Sequence, residues 1–161
     1  MDGLSPRQSP IQFDLAMGKG NRWKDYYAEK ARGEKWLARS VYKLEEIDRK
    51  HGIIRKGSHI LDLGCYPGSW SQYCLKKAGI RGRVVGLDLK RPDRLIAPQF
   101  RFLEADILQL RADWLRQEAG EFDAVISDLA PSTTGIRIID TRRSLELAER
   151  ALEIALSLIH I

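Results

Sequence analysis

The sequence predicts an α/β fold, with a mostly parallel sheet covered by helices on both faces. Two observations carry this. Short apolar runs at 58–63, 83–88, 100–104 and 122–127 alternate with stretches of helical period. A glycine loop, Gly64-Cys65-Tyr66-Pro67-Gly68, follows the first run, and the second run ends on Asp88. Strand, loop, helix, strand and acid, in that order, open a nucleotide-type crevice at the carboxyl end of a parallel sheet.

The elements follow in order along the chain. Residues 1–20 carry Gly, Pro and Ser without a period and read as a flexible tail. Residues 22–32 read as a short helix ended near Gly33. Ser40 is placed to cap a helix over 41–50, with Val41, Leu44 and Ile47 on its apolar face. Gly52 and Gly57 bracket a turn before the first strand. Trp70, Tyr73 and Cys74 at helical spacing predict a helix over 69–78, stopped by Gly79 and Gly82. Residues 110–119 form a helix ended by Gly120. Asp128-Leu129-Ala130-Pro131 leaves the fourth strand, and Pro131 keeps that exit from turning helical. A last helix starts near 140, with Leu145, Ala148, Leu152 and Ala155 as its apolar side. No internal repeat is present.

This order leaves the fourth strand as an apolar edge and the last helix without a following strand. The sheet is therefore expected to lack its C-terminal strands. The final six residues, 156–161, are also the in-frame translation of CTGTCTCTTATACACATC, a string that resembles a transposon end used in sequencing libraries. They are expected to be a non-native tail. The expected organisation is one incomplete domain over 21–155 with a basic helical arm at 21–56.

Composition narrows the function. Apolar content of 43% and charged content of 30% suit a soluble globular domain. No apolar run is long enough to span a bilayer, and no signal peptide is evident. Two cysteines, Cys65 and Cys74, make neither a disulfide framework nor a zinc site, which fits a reduced, cytoplasmic setting. The net charge is +5, and residues 1–56 hold 13 Lys/Arg against 8 Asp/Glu while the remainder is balanced. Trp23, Tyr26, Tyr27, Trp36 and Tyr42 are interleaved with those cations. Cations and stackable rings together point to a polyphosphate partner, RNA above all, through residues 19–56. A solvated helix face is the plainer alternative.

The loop residues narrow the ligand. Gly64 and Gly68 are four apart, so the dinucleotide fingerprint is absent. Tyr66, Pro67 and Trp70 crowd a pyrophosphate, whereas phosphate-free S-adenosylmethionine fits. Asp88, 20 residues after Gly68, is placed to accept from ribose hydroxyls. Asp106, after the third strand, either accepts from an adenine amino group or caps a turn. Asp128, at the carboxyl end of what reads as a central strand, is either functional or a turn cap. Lys43 sits beside Val41 and Leu44, and either has an anionic partner or snorkels to water.

Arg39-Ser40-Val41-Tyr42-Lys43-Leu44-Glu45-Glu46-Ile47, Asp62 through Tyr73, Gly86-Leu87-Asp88-Leu89 and Ser127 through Pro131 together resemble the FtsJ/RrmJ-type RNA ribose 2′-O-methyltransferases. The resemblance covers about 21–155. It implies a Rossmann-like, S-adenosylmethionine-dependent methyltransferase acting on a uridine ribose of large-subunit ribosomal RNA. Gly68, Trp70, Asp88, Asp106 and Asp128 would contact the cofactor, and Gly64, read from the loop itself, lets the backbone approach it. Of the family's Lys-Asp-Lys-Glu catalytic set, Lys43 and Asp128 match the first two. The second Lys and the Glu would lie beyond Ile161, so this chain is expected to show little or no methyl transfer. No metal is implied, and a monomer is expected. Cys65-Tyr66 departs from the small residues common in the family. Transfer RNA as substrate, a non-catalytic RNA-binding relative and a nicotinamide-dependent dehydrogenase are the alternatives. The dehydrogenase lacks both the third glycine and a Tyr-x-x-x-Lys pair.

Overall fold

Strand β1 (His59–Leu63) is central, because its Ile60-Leu61-Asp62-Leu63 run is buried on both faces. Parallel strands β2 (Arg83–Asp88) and β4 (Ala124–Ser127) flank it, and β3 (Phe100–Glu104) pairs with β2, giving the order β3-β2-β1-β4. The structure is a computed structural model that describes residues 19–159, and side chains over 23–159. The sequence-predicted tail at 1–20 lies almost wholly outside the described residues.

Five helices complete the described chain: α1 (Lys19–Gly33), α2 (Val41–His51), α3 (Ser69–Ala78), α4 (Ala112–Ala119) and α5 (Arg137–Leu158). The two-residue alternation of the strands sorts the core. Ile60, Val84, Ala124 and Ile126 face α2 and α3, where they meet Val41, Leu44, Trp70, Tyr73 and Cys74. Leu61, Leu63, Val85 and Leu87 face the other way, onto Leu115 of α4 and Ala151, Ile154 and Leu158 of α5. Burial of this apolar surface is the main force holding both layers to the sheet.

Four sequence expectations are corrected by these contacts. Ser40 does not cap α2: its backbone is already helical, at φ −60° and ψ −17°, and its hydroxyl lies 3.0 Å from that of Ser69. On α2 the third buried position is Asp48, not Ile47, because Asp48 accepts from the Ile54 amide at 2.8 Å and the Tyr73 hydroxyl at 3.0 Å. On α5 the side carrying Leu145 and Leu152 is exposed, and the turn offset to Ala151, Ile154 and Leu158 packs inward. Strand β4 is an edge of the described sheet, as the element order predicts, so the reading of Asp128 as leaving a central strand does not hold.

The element boundaries otherwise lie close to those predicted, and α5 starts three residues early. Of the suspected tail, residues 156–158 continue α5 with Leu158 buried, while residues 160 and 161 lie outside the described residues. Both cysteines are free and buried. No helix among the described residues is long and apolar enough to cross a membrane.

Candidate functional site

The glycine loop lies against the carboxyl end of β2. The Gly64 and Cys65 amides donate to the Leu87 carbonyl at 2.8 and 3.2 Å, and the Tyr66 amide donates to Asp88 Oδ2 at 3.0 Å. Gly64 is required here: its φ is +80°, and a Cβ would sit 2.7 Å from Leu129 Cδ2. The loop, the end of β2 and the exit of β4 thus close on one another over the sheet's carboxyl edge.

They enclose a cavity of about 430 Å³ walled by Gly64, Tyr66, Asp88, Asp106, Ile107, Asp128, Leu129, Pro131 and Leu147, among others. Parallel sheets bind ligands at this edge. A larger cavity, about 770 Å³, opens at the opposite end beside His59, Arg83 and Arg101, and no sequence-predicted site residue lines it.

The structure therefore brings Gly64, Asp88, Asp106 and Asp128 together. Gly68 and Trp70 do not line it. Gly68 has φ +108°, and a Cβ there would stand 3.0 Å from Leu37, 3.1 Å from Pro92 and 3.3 Å from Leu95. Trp70 is buried, with its indole N–H donating to the Ser40 carbonyl at 2.9 Å. Asp106 lines the cavity and also caps its own turn, accepting from the Leu108 amide at 3.0 Å. Lys43 is not on a buried face. It reaches across the sheet edge, and its Nζ donates to Asp128 Oδ1 at 2.7 Å, with the side chains 61% and 31% exposed.

Sequence reasoning gave Asp62 no role. It lies on the α3 side of β1, only 1% exposed, where the Ser71 hydroxyl donates to Oδ2 at 2.6 Å. Its Oδ1 is buried without a partner. Burial pushes its carboxyl up to about 7, the Ser71 hydrogen bond opposes this, and the nearby Asp88 and Asp128 carboxylates add to it. An acid inside the apolar run Ile60-Leu61-Asp62-Leu63 was the available signal. Lys90 is a second omission: its Nζ donates to the Tyr66 hydroxyl at 2.9 Å and lies 4.2 Å from the centre of that ring.

The profile of the FtsJ-like methyltransferases matches residues 36–160. The chain belongs to the FtsJ-like methyltransferase family. Proteins named ribosomal RNA large subunit methyltransferase E are its relatives. The one from Bdellovibrio bacteriovorus is 48% identical over 82% of this chain and 68% of its own length. That from Desulforapulum autotrophicum is 45% identical over 88% of this chain and 70% of its own length. A crystal structure of a Plasmodium falciparum protein, provisionally described as a ribosomal RNA methyltransferase, superposes with a TM-score of 0.68 at 30% identity. It covers 78% of this chain and 74% of that one. The FtsJ-like chain spans about two thirds of the length of such relatives.

The crevice fits the S-adenosylmethionine that this family implies. Asp88, Asp106 and Asp128 line it together, and Gly64 lets the loop backbone approach closely. Those three carboxylates are acceptors that suit a ligand carrying positive charge and hydroxyl or amino donors, and they repel a pyrophosphate. No group of three or more potential metal ligands occurs among the described residues.

Proposed function

We propose that this FtsJ-like chain binds S-adenosylmethionine in the Asp88–Asp128 crevice and presents a ribose 2′-hydroxyl of large-subunit ribosomal RNA for methylation. The single observation that carries this is the Lys43–Asp128 contact at the rim of an acidic crevice in a chain of this family. Asp88, whose two carboxylate oxygens accept from the Tyr66 and Lys90 amides, is held in one orientation with lone pairs left for ribose hydroxyls. Asp106 and the apolar wall of Ile107, Leu129 and Leu147 suit the adenine end. Gly68 and Trp70 support the loop, and Gly64 lets its backbone approach the ligand.

S-adenosylmethionine, when bound, supplies a methyl group already activated by positive sulfur. The protein's share is positioning and proton handling. Lys43 is a hydrogen-bond donor in its pair with Asp128, so its role is to hold the 2′-oxygen. Proton removal falls to the second lysine of the family's Lys-Asp-Lys-Glu set. The basic arm at 19–56 carries the RNA, and the protein acts as a cytoplasmic monomer.

Calorimetric titration of the chain with S-adenosylmethionine and, separately, with NAD tests the reading. Binding of the first and not the second is expected. Binding of NAD alone would replace it with a dehydrogenase.

A further inference from the structure

Between α1 and α2 runs an open groove of about 510 Å³. Its walls are the rings of Trp23, Tyr27 and Tyr42, and Lys24, Arg39, Lys43 and Glu46 surround them. Trp23 is 65% exposed and Tyr27 38%, so neither ring serves the core. They pack on each other instead, with centroids 6.5 Å apart and planes at 27°, and Tyr27 lies 5.3 Å from Tyr42. Tyr42 is fixed: its hydroxyl donates to Glu34 at 2.8 Å, and Lys30 Nζ covers its ring at 4.5 Å. The rings thus form a built surface.

Lys43 connects this groove to the chemistry, because it lines the groove and also touches Asp128 of the cofactor crevice. The charges around the groove are divided. Lys24 and Arg39 attract phosphate, whereas Glu46 repels it and accepts from N–H groups. We propose that the groove takes an unpaired nucleobase adjacent to the ribose held at Lys43. The base stacks on Trp23 and Tyr27, its edge N–H donates to Glu46, and the flanking phosphates lie on Lys24 and Arg39. This rests on the RNA reading above and narrows it to single-stranded or locally opened RNA, because a paired base cannot reach the rings.

The test uses the whole chain and a fluorescently labelled oligoribonucleotide, single-stranded or annealed to its complement, read by anisotropy across a salt series. Trp23→Ala and Tyr27→Ala are each expected to raise Kd for the single strand roughly tenfold without altering the slope of log Kd on log salt. Trp23→Phe should bind nearly as wild type does, whereas Lys24→Gln should flatten the salt slope. All these variants should melt with the wild type, the substituted side chains being surface groups. Equal binding of duplex and single strand, or alanine variants that bind like wild type, would overturn the groove assignment while leaving the RNA reading intact. A wild-type chain that binds S-adenosylmethionine but neither RNA would overturn both.

Discussion

Lys43 of α2 and Asp128 at the exit of β4 meet at 2.7 Å across 85 positions of sequence. Both side chains remain substantially hydrated, at 61% and 31% exposure. Water screens such a pair, and it contributes about 0–1 kcal/mol to folding. Lys43→Met is therefore expected to leave urea-unfolding stability within ~1 kcal/mol of wild type, and to leave calorimetric affinity for S-adenosylmethionine unchanged. A larger stability loss would assign Lys43 to holding the arm on the sheet.

Asp88 joins a structural task to a binding one. Its Oδ2 and Oδ1 accept from the Tyr66 and Lys90 amides at 3.0 and 3.1 Å, which ties the glycine loop to β2. Charge-assisted hydrogen bonds contribute about 1.5–3 kcal/mol each, so Asp88→Ala should weaken S-adenosylmethionine binding by roughly tenfold or more. Asp88→Asn, which keeps one acceptor oxygen, should lose less. Calorimetry of both variants checks the ranking, and equal affinities in all three proteins would remove Asp88 from the site.

The buried acid gives the protein a pH signature. Asp62 is raised from the ordinary 3.8 to about 7, chiefly by burial. The folded chain therefore holds its proton more tightly than the unfolded chain does. The resulting stability is complete below about pH 4 and is lost as pH rises through about 7. Asp62→Asn, which cannot ionise, should gain on wild type over that window, at no more than ~1.4 kcal/mol per pH unit, and keep a constant lead above it. Urea unfolding at a series of pH values measures the gap; parallel curves would mean that Asp62 titrates normally.

Legibility in the sequence followed the strength of the local signal. The bounds of β2, β3 and α3 were readable because apolar runs there end abruptly at Asp88, Glu104 and Gly79. The face of α5 was not, because Leu145, Ala151, Leu152 and Ile154 leave two apolar sides, and only contact with Leu115 and Phe122 in the assembled core selects one. Asp88 and Asp128 announced themselves as acids at strand ends. The coupling of Asp62 to Ser71, and of Lys90 to Tyr66, depends on distances across the loop that no spacing rule encodes. Asp48 hid for the same reason, its partners being Ile54 and Tyr73 on other elements.

Gly64 provides the sharpest steric test of the crevice. Its φ of +80° costs an L-residue about 1–2 kcal/mol. A Cβ would also stand 2.7 Å from Leu129 Cδ2 and 3.3 Å from Leu129 Cα, so side-chain rotation alone does not relieve the contact. Leu129 follows Asp128, and both wall the cavity. Gly64→Ala should accordingly lose at least ~1 kcal/mol of stability and also bind S-adenosylmethionine more weakly, since the displaced residue carries Asp128 with it. Adding Leu129→Ala should restore part of the stability, because it removes the clash with Cδ2 and leaves the backbone strain. Gly33→Ala is the control: nothing lies within 4 Å of its added Cβ, and it should be neutral in both urea unfolding and calorimetry. A Gly64→Ala chain as stable and as tight-binding as the control would mean that the loop and the β4 exit do not close on each other as described.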